Sequence, residues 1–160
     1  MHSPAQSDFD SILPAPFGAL GIRLTGDAIA EICFLPPGTA AHPGSVPLAI
    51  EAQRQLEAYL HDPTHRFDLP LQAAGSAFQQ RVWAAISAIP CGQVRAYGHL
   101  AEALGSAARA VGQACGANPF PIIVPCHRVV AQRALGGFAH ARGGFLIDTK
   151  AWLIQHERRR

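Results

Sequence analysis

Residues 97–115, YGHLAEALGSAARAVGQAC, decide how the second half of this chain folds. Leu100 and Leu104 recur at helical spacing, Gly105-Ser106 offers a turn with Ser106 as N-cap, and Val111 and Ala114 resume the apolar face. The stretch predicts one helix over 97–104 and another over 107–115. Ala101 and Gly105 are small enough for a close helix crossing, which is helix-turn-helix spacing. Many helical hairpins carry that spacing without touching nucleic acid. In the second helix only Arg109 and Gln113 can reach a base edge, whereas specific major-groove reading takes several such side chains. Its small residues fit two readings. One is a backbone that approaches DNA closely while Arg109 enters the base stack; the other is a helix kept small for core packing.

Upstream, the character changes around residues 73–75. Ser76-Ala77-Phe78-Gln79 has the pattern of a capping box, and Phe78, Val82, Ile86 and Ile89 follow at helical spacing until Pro90-Cys91-Gly92. Downstream, Ile122-Ile123-Val124 predicts a short buried strand ending at Pro125-Cys126-His127-Arg128. A thiol reacts as thiolate, and an adjacent imidazole and cation favour that form. A buried structural cysteine is the commoner use of the residue, and the triplet alone leaves both readings open.

The front half reads differently. Leu20, Ile22, Leu24 and Ala30, Ile32, Phe34 alternate around Thr25-Gly26-Asp27, a β-hairpin. A Gly/Pro-rich loop over 36–47 precedes a helix whose face carries Leu48, Ala52, Leu56, Tyr59 and Leu60, and Phe67 with Leu69 is a candidate third strand. The class is therefore α+β, with a small α/β unit over 1–73 and a mainly helical helix-turn-helix domain over 74–160.

With 160 residues and 49% hydrophobic content the chain can bury a core. No apolar run approaches the ~18 residues a membrane span needs, and the first ten residues lack a basic leader, so a cytoplasmic protein without membrane contact is expected. Cysteines 33, 91, 115 and 126 show no zinc-finger spacing, and reduced thiols without a metal are the expectation. Charge is uneven. Residues 1–75 carry Arg23, Arg54 and Arg66 against eight acids, net −5, and residues 76–160 carry ten basic groups against three acids, net +7. A basic back half suits a polyanion such as DNA, although solvated surface alone also produces such asymmetry.

Taken together, Phe78-Gln79, Val82-Trp83, Ile89-Pro90-Cys91-Gly92, Arg109-Ala110-Val111-Gly112, Asn118-Pro119, Pro125-Cys126-His127-Arg128-Val129 and His156-Glu157 closely resemble the O6-alkylguanine-DNA alkyltransferases. The resemblance covers about residues 76–157. It implies a ribonuclease H-like first unit and a catalytic second one, acting as a monomer on double-stranded DNA that carries O6-alkylguanine, with O4-alkylthymine as a second candidate lesion. The alkyl group would pass irreversibly to Cys126 without a cofactor. By position, His127 would be the base through a water and Glu157 would orient it. Tyr97 would help rotate the nucleotide and polarise the leaving base, and Lys150 would support Tyr97. Arg109 would fill the vacated stack beside Gln113, Asn118 would hold the turn before the cysteine, and Val129, Pro121 and Phe138 would line or support the pocket.

Some residues depart from the pattern or stay open. Arg95, near the tyrosine, is a candidate phosphate contact or a change in the pocket rim. Arg128 suits DNA or an internal salt bridge equally. Cys115 puts a second thiol near DNA where relatives carry Asn or Met. Residues 139–149 are longer than the family's Gly-rich segment, and the stretch 136–149, in which Gly136-Gly137 and Gly143-Gly144 bracket residues 138–142, reads as a lid or as a surface loop with no role. Three rival functions remain: a damage-binding protein without transfer, against which Cys126 itself argues; a helix-turn-helix regulator, disfavoured by the plain second helix; and a cysteine hydrolase, for which no oxyanion hole is evident.

Overall fold

The computed structural model describes residues 8–131, 136 and 144–158. Phe138 and half of the expected lid, residues 137–143, lie outside these residues. The chain divides into two compact units, Met1–Ala73 and Ala74–Arg160, and its class is α+β.

The first unit is a three-stranded antiparallel sheet in the order β1 (Ser11–Ala15), β2 (Gly18–Thr25), β3 (Ala28–Leu35), followed by α1 (Pro47–His61). Gly26 at φ 56° lets the chain reverse in two residues, so that Thr25 pairs with Ala28 and the predicted hairpin forms. Leu20, Ile22 and Ile32 are buried from the sheet, and α1 buries Ala49, Ala52, Leu56 and Tyr59. Gly21 is required by packing, because a Cβ there would lie 2.6 Å from the Phe9 ring. Two features differ from expectation. β1 was not anticipated, since Pro14 interrupts its apolar pattern; as an edge strand it tolerates the missing donor. Phe67 and Leu69 form no strand: Phe67 packs on Tyr59 at 6.0 Å between ring centroids, and pairing is confined to an isolated bridge from Leu71 to Ile29.

The second unit contains α2 (Ala77–Ser87), β4 (Arg95–Ala96), α3 (Tyr97–Leu104), α4 (Ala108–Gly116), a 3-10 turn (Cys126–Arg128), β5 (Val129–Val130) and α5 (Phe145–Arg158). The capping box at the start of α2 is complete, with Ser76 Oγ accepting from Gln79 N and Gln79 Oε1 from Ser76 N. α3 ends on Gly105 in the left-handed region at φ 65°, and Ser106 N donates back to Ala101 O at 2.8 Å, a helix stop that glycine provides without strain. The N-cap of α4 is Ala107 rather than Ser106, and no side chain caps it. Val82, Ile86, Leu100, Val111, Ala114 and Leu153 bury the faces of all four helices, each large aliphatic group contributing about 1.5–3 kcal/mol. α5 begins at Phe145, so residues 145–149 of the expected long loop are its first turn, fixed by Thr149 Oγ1 donating to Phe145 O at 2.8 Å.

Candidate active site

The chain reaches Cys126 from α4 through a sequence of tight turns. Asn118 Oδ1 accepts from Phe120 N at 2.9 Å, closing an Asx turn. Its Nδ2 donates to Val124 O at 2.8 Å and to Cys126 Sγ at 3.2 Å. The apolar run expected as a strand is a turn instead: Val124 N donates to Phe120 O, and Pro121 and Val124 share a single bridge. Pro121 and Pro125 on either side lack the N–H donors a ladder needs. Ile122 sits at φ 74°, a conformation that costs a β-branched residue about 1–3 kcal/mol and is found where surrounding structure enforces it. Pro125, at φ −81° and ψ 67°, is the centre of an inverse γ-turn closed by Cys126 N and Val124 O at 2.8 Å. Four successive constraints thus place one sulfur.

Cys126 is 4% exposed. A hydrogen bond with the Cys115 thiol, together with burial, pushes its pKa well above the ordinary value, while Asn118 and the Lys150 charge pull it down. At rest the group is a thiol, and a base is needed to activate it.

A candidate for that base stands next in the chain. His127 is fully buried, and its Nε2 lies 2.6 Å from Glu157 Oε2. Arg128 Nε and Nη2 also donate to Glu157, at 2.8 and 3.1 Å, and Arg128 Nη1 donates to Ile89 O at 2.6 Å. A carboxylate paired with arginine accepts only, so Nε2 carries the proton and Nδ1 keeps its lone pair. Nδ1 is buried without a hydrogen-bond partner among the described residues. Burial holds the imidazole pKa below its ordinary value despite the opposing pull of Glu157, which leaves a neutral base at physiological pH. The internal salt bridge considered for Arg128 is present; its guanidinium faces Glu157 and the Ile89 carbonyl.

This pairing has a consequence for stability. Because folded His127 binds its proton less readily than the unfolded chain does, its contribution is fully present above the unfolded value near 6.5 and is lost as pH falls through the lower folded pKa. The thermal midpoint is expected to drop between pH 7 and 5 by more in the wild type than in His127→Gln. Equal drops in a calorimetric pH series would contradict the assignment.

Tyr97 and Lys150 meet beside the sulfurs. Lys150 Nζ donates to Tyr97 Oη at 3.4 Å and lies 5.5 Å from the ring centroid. Burial lowers the lysine pKa to about 8 and raises that of the tyrosine well above its ordinary value, so the phenol remains a proton donor at all ordinary pH. Gly136 packs on this ring, where a Cβ would sit 2.9 Å from Tyr97 Cε2; sequence reasoning had no signal for that contact. Val129 is buried in β5, paired in parallel with Arg95 of β4, and Pro121 is half-buried in the turn before Cys126. Arg95 is held locally, with Nη2 donating to Gln93 Oε1 at 2.8 Å and Nη1 to Val94 O at 3.0 Å.

On α4 the exposed positions are Ala108, Arg109 and Gln113, flanked by Ala107 and Ala117, while Val111, Ala114 and Cys115 face inward. Trp83 Nε1 anchors the helix by donating to Ala114 O at 2.9 Å. The outward face is thus a smooth strip with two long polar side chains. Among the described residues no group of three or more His, Cys, Asp or Glu side chains is arranged to hold a metal.

Residues 77–159 match the family model described as 6-O-methylguanine DNA methyltransferase, DNA binding domain. The chain is 40% identical over 158 residues to the methylated-DNA–protein-cysteine methyltransferase of Mycobacterium tuberculosis, covering 92% of this chain and 91% of that one. It is 45% identical over 115 residues to the constitutive enzyme of that name from Bacillus subtilis, covering 70% and 67%. The solved structure of Mycobacterium tuberculosis OGT in complex with DNA superposes with a TM-score of 0.75 at 37% identity, covering 92% of this chain and 91% of that one. The chain belongs to the methylated-DNA–protein-cysteine methyltransferase family. The first five curated relatives are matched over only 51% to 67% of their own length.

Proposed function

We propose that this protein repairs DNA by direct reversal, moving an alkyl group from O6-alkylguanine in duplex DNA to Cys126 in a single turnover. The observation that carries the reading is a buried thiol held by Asn118, next to a neutral histidine whose free Nδ1 and glutamate-bound Nε2 equip it as a base. A water between Nδ1 and Sγ would satisfy the nitrogen and relay the proton. The thiolate then attacks the alkyl carbon, the S–C bond forms as the C–O6 bond breaks, and guanine departs with a proton. Tyr97, kept protonated, donates a hydrogen bond to the departing base, and Lys150 orients the phenol. Val129 and Pro121 support the pocket. The thioether is stable, so neither cofactor nor regeneration enters. A binding protein without transfer would have no use for this relay.

DNA would lie along α4, with Arg109 filling the gap left by the flipped nucleotide and Gln113 beside it. The +7 charge of residues 76–160 supplies phosphate attraction. We read the first unit as a reduced ribonuclease H-like scaffold, the protein as a monomer, and the cytoplasm as its location; no described helix is long and apolar enough to cross a membrane. Nucleoside analysis of a duplex carrying one O6-methylguanine tests the reading. Guanine should replace the lesion mole for mole with protein, and an unchanged lesion under saturating protein would refute it.

For Arg109→Ala, transfer from duplex DNA should fall by on the order of a hundredfold, because unstacking a base costs a few kcal/mol. Transfer from free O6-benzylguanine, which needs no flipping, should change little. Equal losses on both substrates, measured as single-turnover rates, would move Arg109 from flipping to folding or chemistry.

A further inference from the structure

Gly136 lies in a corner between the backbone that follows β5 and the hydroxyl end of the Tyr97 ring. A Cβ built on it would stand 3.1 Å from Ala131 N, 2.9 Å from Tyr97 Cε2 and 3.5 Å from Tyr97 Oη. Its φ of 78° is in the left-handed region, which glycine adopts without steric cost. The two walls of the corner differ in what can move. Ala131 follows directly on β5, whose Val129 and Val130 pair with Arg95 and Ala96, so its nitrogen belongs to a paired backbone frame. Tyr97 leaves the same frame at the first residue of α3, but its ring turns about two side-chain torsions. A side chain at 136 would therefore be accommodated at the ring. The ring edge must recede by about 0.5 Å for the contact to open from 2.9 Å to the 3.4 Å at which ordinary contact begins. That edge carries the hydroxyl that accepts from Lys150 Nζ at 3.4 Å.

We propose that Gly136 is a positioning residue for alkyl transfer: its bare Cα sets where the Tyr97 hydroxyl stands against the departing guanine, and any Cβ at this position moves that hydroxyl. The proposal rests on Tyr97 donating to the base, as in the function proposed above. A hydrogen-bond donor works over a narrow range of distance and angle, and misplacement by about 1 Å can cost a hundredfold in rate. A ring shift of about half that size should slow transfer by on the order of tenfold. Gly136 touches neither thiol nor substrate in this scheme; its effect passes through the phenol.

Single-turnover transfer from free O6-benzylguanine, which needs no flipping, is measured for the full-length wild type, Gly136→Ala, Tyr97→Phe and the double variant. Gly136→Ala should slow transfer by on the order of tenfold and Tyr97→Phe by at least as much. In the Tyr97→Phe background the alanine should cost less than about twofold, because no donor is left to misplace. Gly136→Asn brings the same Cβ on a residue that tolerates positive φ better. Its loss should be at least that of Gly136→Ala, and it keeps the test open if strain unfolds the alanine variant. Ring position is read separately. The chain has two tyrosines, Tyr59 and Tyr97; with ring-labelled tyrosine, both substitutions at 136 should shift the Tyr97 carbon resonances and leave those of Tyr59, in the first unit, in place. Wild-type transfer by the Gly136 variants, a full loss persisting without the hydroxyl, recovery in Gly136→Asn, or unmoved Tyr97 resonances would each overturn the proposal. Tyr97→Phe transferring at the wild-type rate would instead remove Tyr97 as donor, and the proposal with it, while leaving Cys126 as acceptor untouched.

Discussion

Cys126→Ser is expected to bind duplex DNA as tightly as the wild type and to transfer no detectable alkyl group, a loss on the order of a thousandfold or more. A serine hydroxyl occupies nearly the same volume and can accept the Asn118 amide bond, so the turns from Phe120 to Pro125 should persist. What disappears is the thiolate: a neutral imidazole can deprotonate a thiol, even one whose pKa is raised by Cys115 and burial, far more readily than a hydroxyl. Filter binding and single-turnover transfer on one methylated duplex separate the two effects. Transfer at more than about one per cent of the wild-type rate, an allowance tenfold above the expected loss, would show that another group accepts the alkyl.

The second large effect is on stability. Glu157 is 2% exposed and receives bonds from His127 and, twice, from Arg128. Among the described residues, Glu157→Ala would leave the Arg128 guanidinium, 13% exposed, with only the Ile89 carbonyl, and His127 with both nitrogens unpaired. Removing one partner of a buried ion pair costs about 3–5 kcal/mol, and the thermal midpoint should fall by on the order of 10 °C. Below that midpoint, transfer should slow about a hundredfold as the imidazole loses its tautomer and orientation. Glu157→Gln keeps the volume and one acceptor oxygen, so its midpoint should lie between those of Glu157→Ala and the wild type. A midpoint for Glu157→Ala within about 2 °C of the wild type, a change worth less than 1 kcal/mol, would mean that the cluster does not hold α5 to the acceptor turn.

The helices of the second unit were legible because their signals are local. The Ser76/Gln79 capping box, the 3.6-residue recurrence of Val82 and Ile86, and the glycine stop at Gly105 each act within one or two turns of chain. Strands fared less well. Pro14 concealed β1, whose identity depends on pairing with β2. Ile122-Ile123-Val124 looked like a strand because apolar β-branched residues are all that a short run displays, although prolines on both sides already denied it a ladder. Within the site, Arg128 could be resolved only by a carboxylate 29 residues away. The bond from Asn118 to the Cys126 sulfur depends on how the turns between them add up, which no spacing rule encodes. The candidate nucleophile and its histidine were legible because both stand in one tripeptide with the cation beside them.

The alkyl group is expected to end on one sulfur. Protein incubated with excess duplex carrying O6-methylguanine, digested with trypsin and fragmented in the mass spectrometer reports the position directly. One methyl per chain is expected, within residues 110–128 and on Cys126, with Cys115, Cys91 and Cys33 unmodified. A methyl on Cys115, or a lesion repaired while the protein mass stays unchanged, would contradict it.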